Sequence, residues 1–113
     1  MEYMGRQATM EKLASRLEIM LEEWERIGYL PNPANLRFKE RLKGRIVTVT
    51  EQLVLLSLFA DGRQEVTAEE RIQTVKDYLN ARIPRSVRGT PFITYEELKH
   101  RDYIRGIGGH EPT

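Results

Sequence analysis

Residues 46–60 read IVTVTEQLVLLSLFA. Ten of these fifteen residues are apolar, and Glu51 is the only charge among them. Gly44 stands just before the stretch and Asp61-Gly62 stops it. A bilayer span needs roughly 20 apolar residues, so this run is too short to cross one. Wound as a helix, it points Leu53, Val54, Leu55, Leu56, Leu58 and Phe59 in nearly every direction. A helix apolar all round is a buried one, and the rest of the chain must wrap it. Thr48 and Glu51 form a T-x-x-E capping box, which satisfies two orphan donors of a helix start and predicts a helix over about 49–60. These are demands on architecture, and none of them specifies a chemistry.

Immediately upstream the reading divides. Asn32 as N-cap with Pro33 at the first helical position is a start signal, and a helix over 33–43 puts Ala34, Phe38 and Leu42 on one face. Leu36 is left on the other. The competing reading is a β-hairpin over about 36–50. Leu36 and Phe38 alternate with Arg37, Lys39 and Arg41, Gly44 turns the chain, and the β-branched run Ile46 to Thr50 favours a strand. The helix is the favoured alternative.

Further out, the signals are helical. Thr67 and Glu70 form a second T-x-x-E box, followed by the stripe Ala68, Ile72, Val75, Leu79, until Pro84 forbids continuation. Thr94 and Glu97 form a third, with Ile93 and Leu98 at the positions of a hydrophobic staple, opening a helix to about Arg105. Toward the N-terminus, Met10, Leu13, Leu17, Met20, Trp24 and Ile27 follow at spacings of 3, 4, 3, 4 and 3. That is an amphipathic helix over about 10–27, with Thr9 as N-cap and Gly28 as a left-handed C′ residue. Tyr29 is placed to touch Trp24 across that cap. Ile19 falls on the polar face.

The expected fold is therefore all-α: a compact bundle of four to five helices around the central apolar helix 49–60. The alternative is α+β, with the hairpin at about 36–50. Residues 1–9 read as a loose N-terminal arm, 10–105 as a single helical domain and 106–113 as a glycine-bearing flexible tail. A chain of 113 residues with 40% apolar side chains can bury a real core. It holds no cysteine, and neither a secretory h-region nor a transmembrane run is visible, which fits a cytoplasmic protein.

The net charge of +1 hides segregation. Residues 37–45 carry Arg37, Lys39, Arg41, Lys43 and Arg45 against Glu40 alone, and between Tyr78 and Tyr95 there is no acid beside Arg82, Arg85 and Arg88. These eight cations are the candidate contacts for an acidic protein surface or a nucleic acid. On a strand the first five would share one face. On a helix Arg37, Lys39, Arg41 and Lys43 splay over more than half the circumference. The second group precedes a helix N-terminus, which attracts anions.

Chemistry has weaker footing. Asp61-Gly62 invites a calcium-loop reading, but Arg63 and Ile72 occupy positions that need oxygen ligands. Glu96 and His100 are i,i+4 neighbours, yet two ligands do not make a metal site, and His110 lies in the tail. Ser15, Ser57 and Ser86 lack a recognisable nucleophile context, and Gly106-Ile107-Gly108-Gly109 lacks the lysine and helix of a phosphate loop. No catalytic residue, metal, cofactor or small-molecule substrate is expected. The expectation is a non-catalytic, small intracellular interaction protein that self-associates and binds a protein partner. The Leu13, Leu17, Met20, Trp24, Ile27 seam is the candidate contact between copies. The alternative is a nucleic-acid-associated protein using segments 37–45 and 82–88 on phosphates.

Overall fold

The computed structural model describes residues 2–28, 33–60, 62, 65–86 and 88–101. Helix α1 spans Glu2–Ile27, α2 spans Pro33–Ala60, α3 spans Ala68–Arg82, and residues 95–101 are helical as α4, whose expected end near Arg105 lies outside the described residues. No strand occurs among the described residues, so the all-helical expectation holds and the hairpin at 36–50 does not form. No described helix is long and apolar enough to cross a membrane. The chain clusters into two compact units, residues 1–66 and 67–113, where the sequence led us to expect one domain over 10–105.

In the first unit, α1 packs against α2. The connection at 28–32 is short, which makes the two helices antiparallel neighbours. Residues 2–9, expected as a loose arm, are the opening turns of α1. Thr9 is not an N-cap; its hydroxyl donates to the Gly5 carbonyl inside the helix at 2.8 Å. The end of α1 forms as its sequence predicts. Gly28 takes φ +60°, and its N–H donates to the Trp24 carbonyl at 3.3 Å, the single bond of a left-handed C-cap. Tyr29 and Asn32 lie outside the described residues.

The largest departure is α2. Two helices over 33–43 and 49–60 were expected, and one helix of 28 residues runs through Gly44 and the β-branched run. Glycine in a helix interior costs about 0.5–1 kcal/mol relative to alanine, and β-branched residues are weak helix formers. Tertiary burial outweighs both. Ile46, Val47 and Thr50 are each 0–1% exposed, and Leu42, Val49, Leu53 and Val54 are buried with them. Burying even one such side chain contributes about 1.5–3 kcal/mol. The hydroxyls adapt by bonding back within the helix: Thr48 to the Gly44 carbonyl at 2.9 Å and Thr50 to the Ile46 carbonyl at 2.8 Å. Thr48 is therefore an interior residue rather than the opening of a capping box, and Glu51 is buried in mid-helix.

The centre of burial moves accordingly. It lies over 42–54, not 49–60. Leu55, Leu56 and Leu58 are half-buried, Ser57 is exposed, and Phe59 is on the surface. The apolar run is thus the C-terminal half of a longer helix, most deeply covered before its middle. Gly62 closes it, with φ +85° and its N–H on the Phe59 carbonyl at 3.0 Å.

The second unit follows its local signals closely. Thr67 caps α3, accepting from the Glu70 N–H at 3.1 Å, and Ile72, Val75 and Leu79 are its buried residues. The Thr94–Glu97 box is reciprocal: the Glu97 N–H donates to the Thr94 hydroxyl at 3.1 Å, and the Thr94 N–H donates to the Glu97 carboxylate at 3.2 Å. Ile93 and Leu98, the staple pair, are both buried. Between α3 and α4 the chain is held by Asn80. Its side-chain amide donates to the Ile93 carbonyl at 2.9 Å and accepts from the Ile93 N–H at 3.2 Å. The tail at 106–113 lies outside the described residues.

Candidate interaction surfaces

The eight cations singled out in the sequence divide between the two units, residues 37–45 in the first and 82–88 in the second. Around α2, successive residues advance by about 100°, so Arg37, Arg41 and Arg45 fall within about 80° of one another. All three are exposed. Their Cα atoms span two turns, about 12 Å along the axis. Lys39 and Lys43 project from the opposite side of the helix and are half-buried. The splay expected for a helix is therefore sorted by packing: three arginines reach solvent as one stripe, and the two lysines turn inward.

Lys39 is occupied structurally. Its Nζ donates to the Gly28 carbonyl at 2.6 Å and stands 4.7 Å from the centroid of the Trp24 ring. The ammonium thus sits at the negative end of the α1 dipole, over the face of the half-buried tryptophan. It ties the end of α1 to the start of α2.

The arginine stripe is flanked by apolar side chains. Leu36 is 55% exposed and Phe38 is 41% exposed, about 100° to either side of Arg37. The sequence reading placed Phe38 with Leu42 on one face; only Leu42 is buried. Further along the same side of α2 come exposed Gln52 and Phe59.

Arg82, Arg85 and Arg88 are also exposed, but their setting is different. The Arg82 guanidinium carbon lies 3.5 Å from the centroid of the Tyr78 ring, and one of its amines donates to the Tyr78 carbonyl at 3.3 Å. Arg85 donates to the Gly89 carbonyl at 3.0 Å. Ser86 organises the turn, its hydroxyl accepting from the Thr90 N–H at 3.1 Å and the Arg88 N–H at 3.3 Å. The helix N-terminus expected to attract an anion already holds one, the carboxylate of Glu97. Arg82 thus packs back on its own helix α3, and Arg85 braces the loop that follows.

The expected contact between copies is placed inside the fold. Leu13, Leu17 and Met20 are 8%, 2% and 5% exposed in the single chain, and Trp24 and Ile27 are half-buried. The 3–4 stripe is the inner face of α1. The outer face has a feature the sequence reading passed over, an open groove of about 730 Å³ between α1 and α2. Its α1 side carries Lys12, Arg16, Ile19 and Glu23, and its α2 side Leu42 and Arg45. Ile19, at 63%, is the most exposed of the large apolar side chains described. Its misfit with the polar face was legible in the sequence; its place in a groove was not.

Among the described residues, no three of histidine, aspartate and glutamate come together as metal ligands. Glu96 and His100 are both exposed on α4. Comparison with known protein families, with curated protein sequences and with solved structures finds no match for this chain.

Proposed function

We propose that this is a non-catalytic interaction protein that self-associates and takes an acidic protein partner on the exposed face of α2. The observation that carries the reading is the stripe Arg37, Arg41, Arg45 with Leu36 and Phe38 beside it. Arginine and aromatic side chains are the residues enriched at protein–protein contacts. An exposed phenylalanine next to guanidiniums supplies both a desolvating anchor and charge-assisted hydrogen bonds to carboxylates. The stripe also suits a helical partner with acidic residues at i, i+4 and i+8, since such carboxylates repeat at the same rise.

The same three arginines support a second reading, contact with nucleic-acid phosphates. Three cations in line along one helix face are a better match to a phosphate strand than a splayed set. The two readings divide on salt and on the apolar flank. The test is titration of the full chain with an amphipathic acidic helix peptide and with a short duplex of equal charge, at several salt concentrations. The acidic-partner reading expects the peptide to bind, to lose affinity when Phe38 becomes alanine, and to lose it again when the three arginines become glutamine. The phosphate reading expects duplex binding that falls steeply with salt, with a slope of about −0.9 per phosphate neutralised, and indifference to Phe38→Ala. Binding of neither probe would reject both.

A further inference from the structure

We propose that the copies meet through the outer face of α1, with a second α1 lying antiparallel in the α1–α2 groove and Ile19 close to the two-fold axis. This rests on the self-associating part of the reading above and names its surface.

Three observations converge. The first is the groove itself, whose floor includes the buried Met20 and Leu42. Its rim is charged, which suits a helix carrying matching charges better than a small apolar ligand. The second is Ile19, 63% exposed at the middle of that face. Among the described side chains of α1, Ile19 is the one large apolar residue that is exposed. The third is the order of charges along the face. Three and four residues before Ile19 come Arg16 and Ser15; three and four after it come Glu22 and Glu23.

Antiparallel pairing about Ile19 sets each residue opposite the one equally far on the other side. Arg16 of one copy then faces Glu22 and Glu23 of the other, and the contact occurs twice by symmetry. One turn further out, Glu11 comes beside Arg26 of the other copy. Lys12 faces Arg26 as well, and this unfavourable pair lies at the edge, where solvent screens it. A two-fold interface must be complementary to itself. Around the centre, Arg16 before Ile19 and Glu22 and Glu23 after it meet that condition in the antiparallel sense only. A parallel pair would set Arg16 against Arg16 and Glu23 against Glu23.

The residues named for the test, Arg16, Ile19 and Glu22 on the exposed surface and Glu23 half-buried, lie outside the buried core, so substitution leaves the fold intact. Sedimentation of the full chain over a hundredfold concentration range reads the result. The wild type is expected to pass from monomer toward dimer as concentration rises, by mass action, and to do so less at high salt. Ile19→Glu puts two carboxylates together near the axis and is expected to stay monomeric. Arg16→Glu alone is expected to weaken the dimer at least tenfold. Combining it with Glu22→Arg and Glu23→Arg is expected to restore dimerisation, because the swap rebuilds the pairs of residue 16 with residues 22 and 23 with their signs reversed. That rescue is a result a loss of folding does not produce. A wild type that is monomeric throughout overturns both this proposal and the self-associating reading. A wild-type dimer untouched by Ile19→Glu overturns this surface alone.

Discussion

Lys39→Met tests the tie between α1 and α2 directly. Methionine keeps the length and the apolar stem of the side chain and removes only the ammonium. The wild-type Nζ donates to the Gly28 carbonyl at 2.6 Å and lies 4.7 Å from the Trp24 ring centroid. A hydrogen bond from a charged donor contributes about 1.5–3 kcal/mol net, and a cation over an indole at a partly exposed site about 0.5–1 kcal/mol. Both come from one ammonium group, so they overlap instead of adding, and the expected loss is about 2 kcal/mol. With a urea dependence of about 2 kcal/mol per molar for a chain of this size, the unfolding midpoint should fall by about 1 M. Trp24 is the single tryptophan of the chain, so its fluorescence reports the affected joint without labelling. A double-mutant cycle with Trp24→Leu isolates the ring contact, with an expected coupling of about 0.5–1 kcal/mol. A Lys39→Met protein within about 0.3 kcal/mol of the wild type would refute the reasoning, as would zero coupling to Trp24 for the ring contact. Binding of the acidic peptide should survive Lys39→Met, since that lysine faces away from the arginine stripe.

Asn80→Ala removes both hydrogen bonds to Ile93 and strips a buried residue of its backbone partners; a loss of about 2–4 kcal/mol in thermal or urea unfolding is expected. Ile46→Asp places a carboxylate at a site with 0% exposure and should cost several kcal/mol, abolishing the cooperative transition in circular dichroism, whereas Leu56→Asp, at a half-buried site, should cost clearly less. Thr50→Val should leave the melting temperature almost unchanged, because the buried hydroxyl bonds only to the Ile46 carbonyl of its own helix; a drop of more than about 2 kcal/mol would mean the hydroxyl serves another group. Gly28→Ala should destabilise by about 1 kcal/mol through the left-handed φ of +60°, measured by the same unfolding curves.

By itself, the sequence determined most of what depends on groups within four or five residues of one another, the Thr48–Glu51 box and the Thr9 cap excepted. The left-handed stop at Gly28, the Thr67 cap, the reciprocal Thr94–Glu97 box and the Ile93–Leu98 staple all stand where the residue types put them. A cap is a local exchange of hydrogen bonds, satisfied by groups three residues apart without any tertiary contact. The inner stripe of α1 was legible for a similar reason, since periodicity alone places Leu13, Leu17 and Met20 on one side. Tertiary structure decided the rest. The local signals of 44–51 favour a break: a glycine, five β-branched residues and a T-x-x-E box. Burial of Ile46, Val47, Val49 and Thr50 carries the helix through them, and no window of the sequence contains that energy. The same packing sorted the cations of 37–45 into an exposed arginine stripe and two inward lysines. Which side of α2 faces α1 is a property of both helices, so the candidate surface emerged only when they were placed together. Asn80 and Ile93 are thirteen residues apart, and their pairing became visible only when the chain between α3 and α4 had closed.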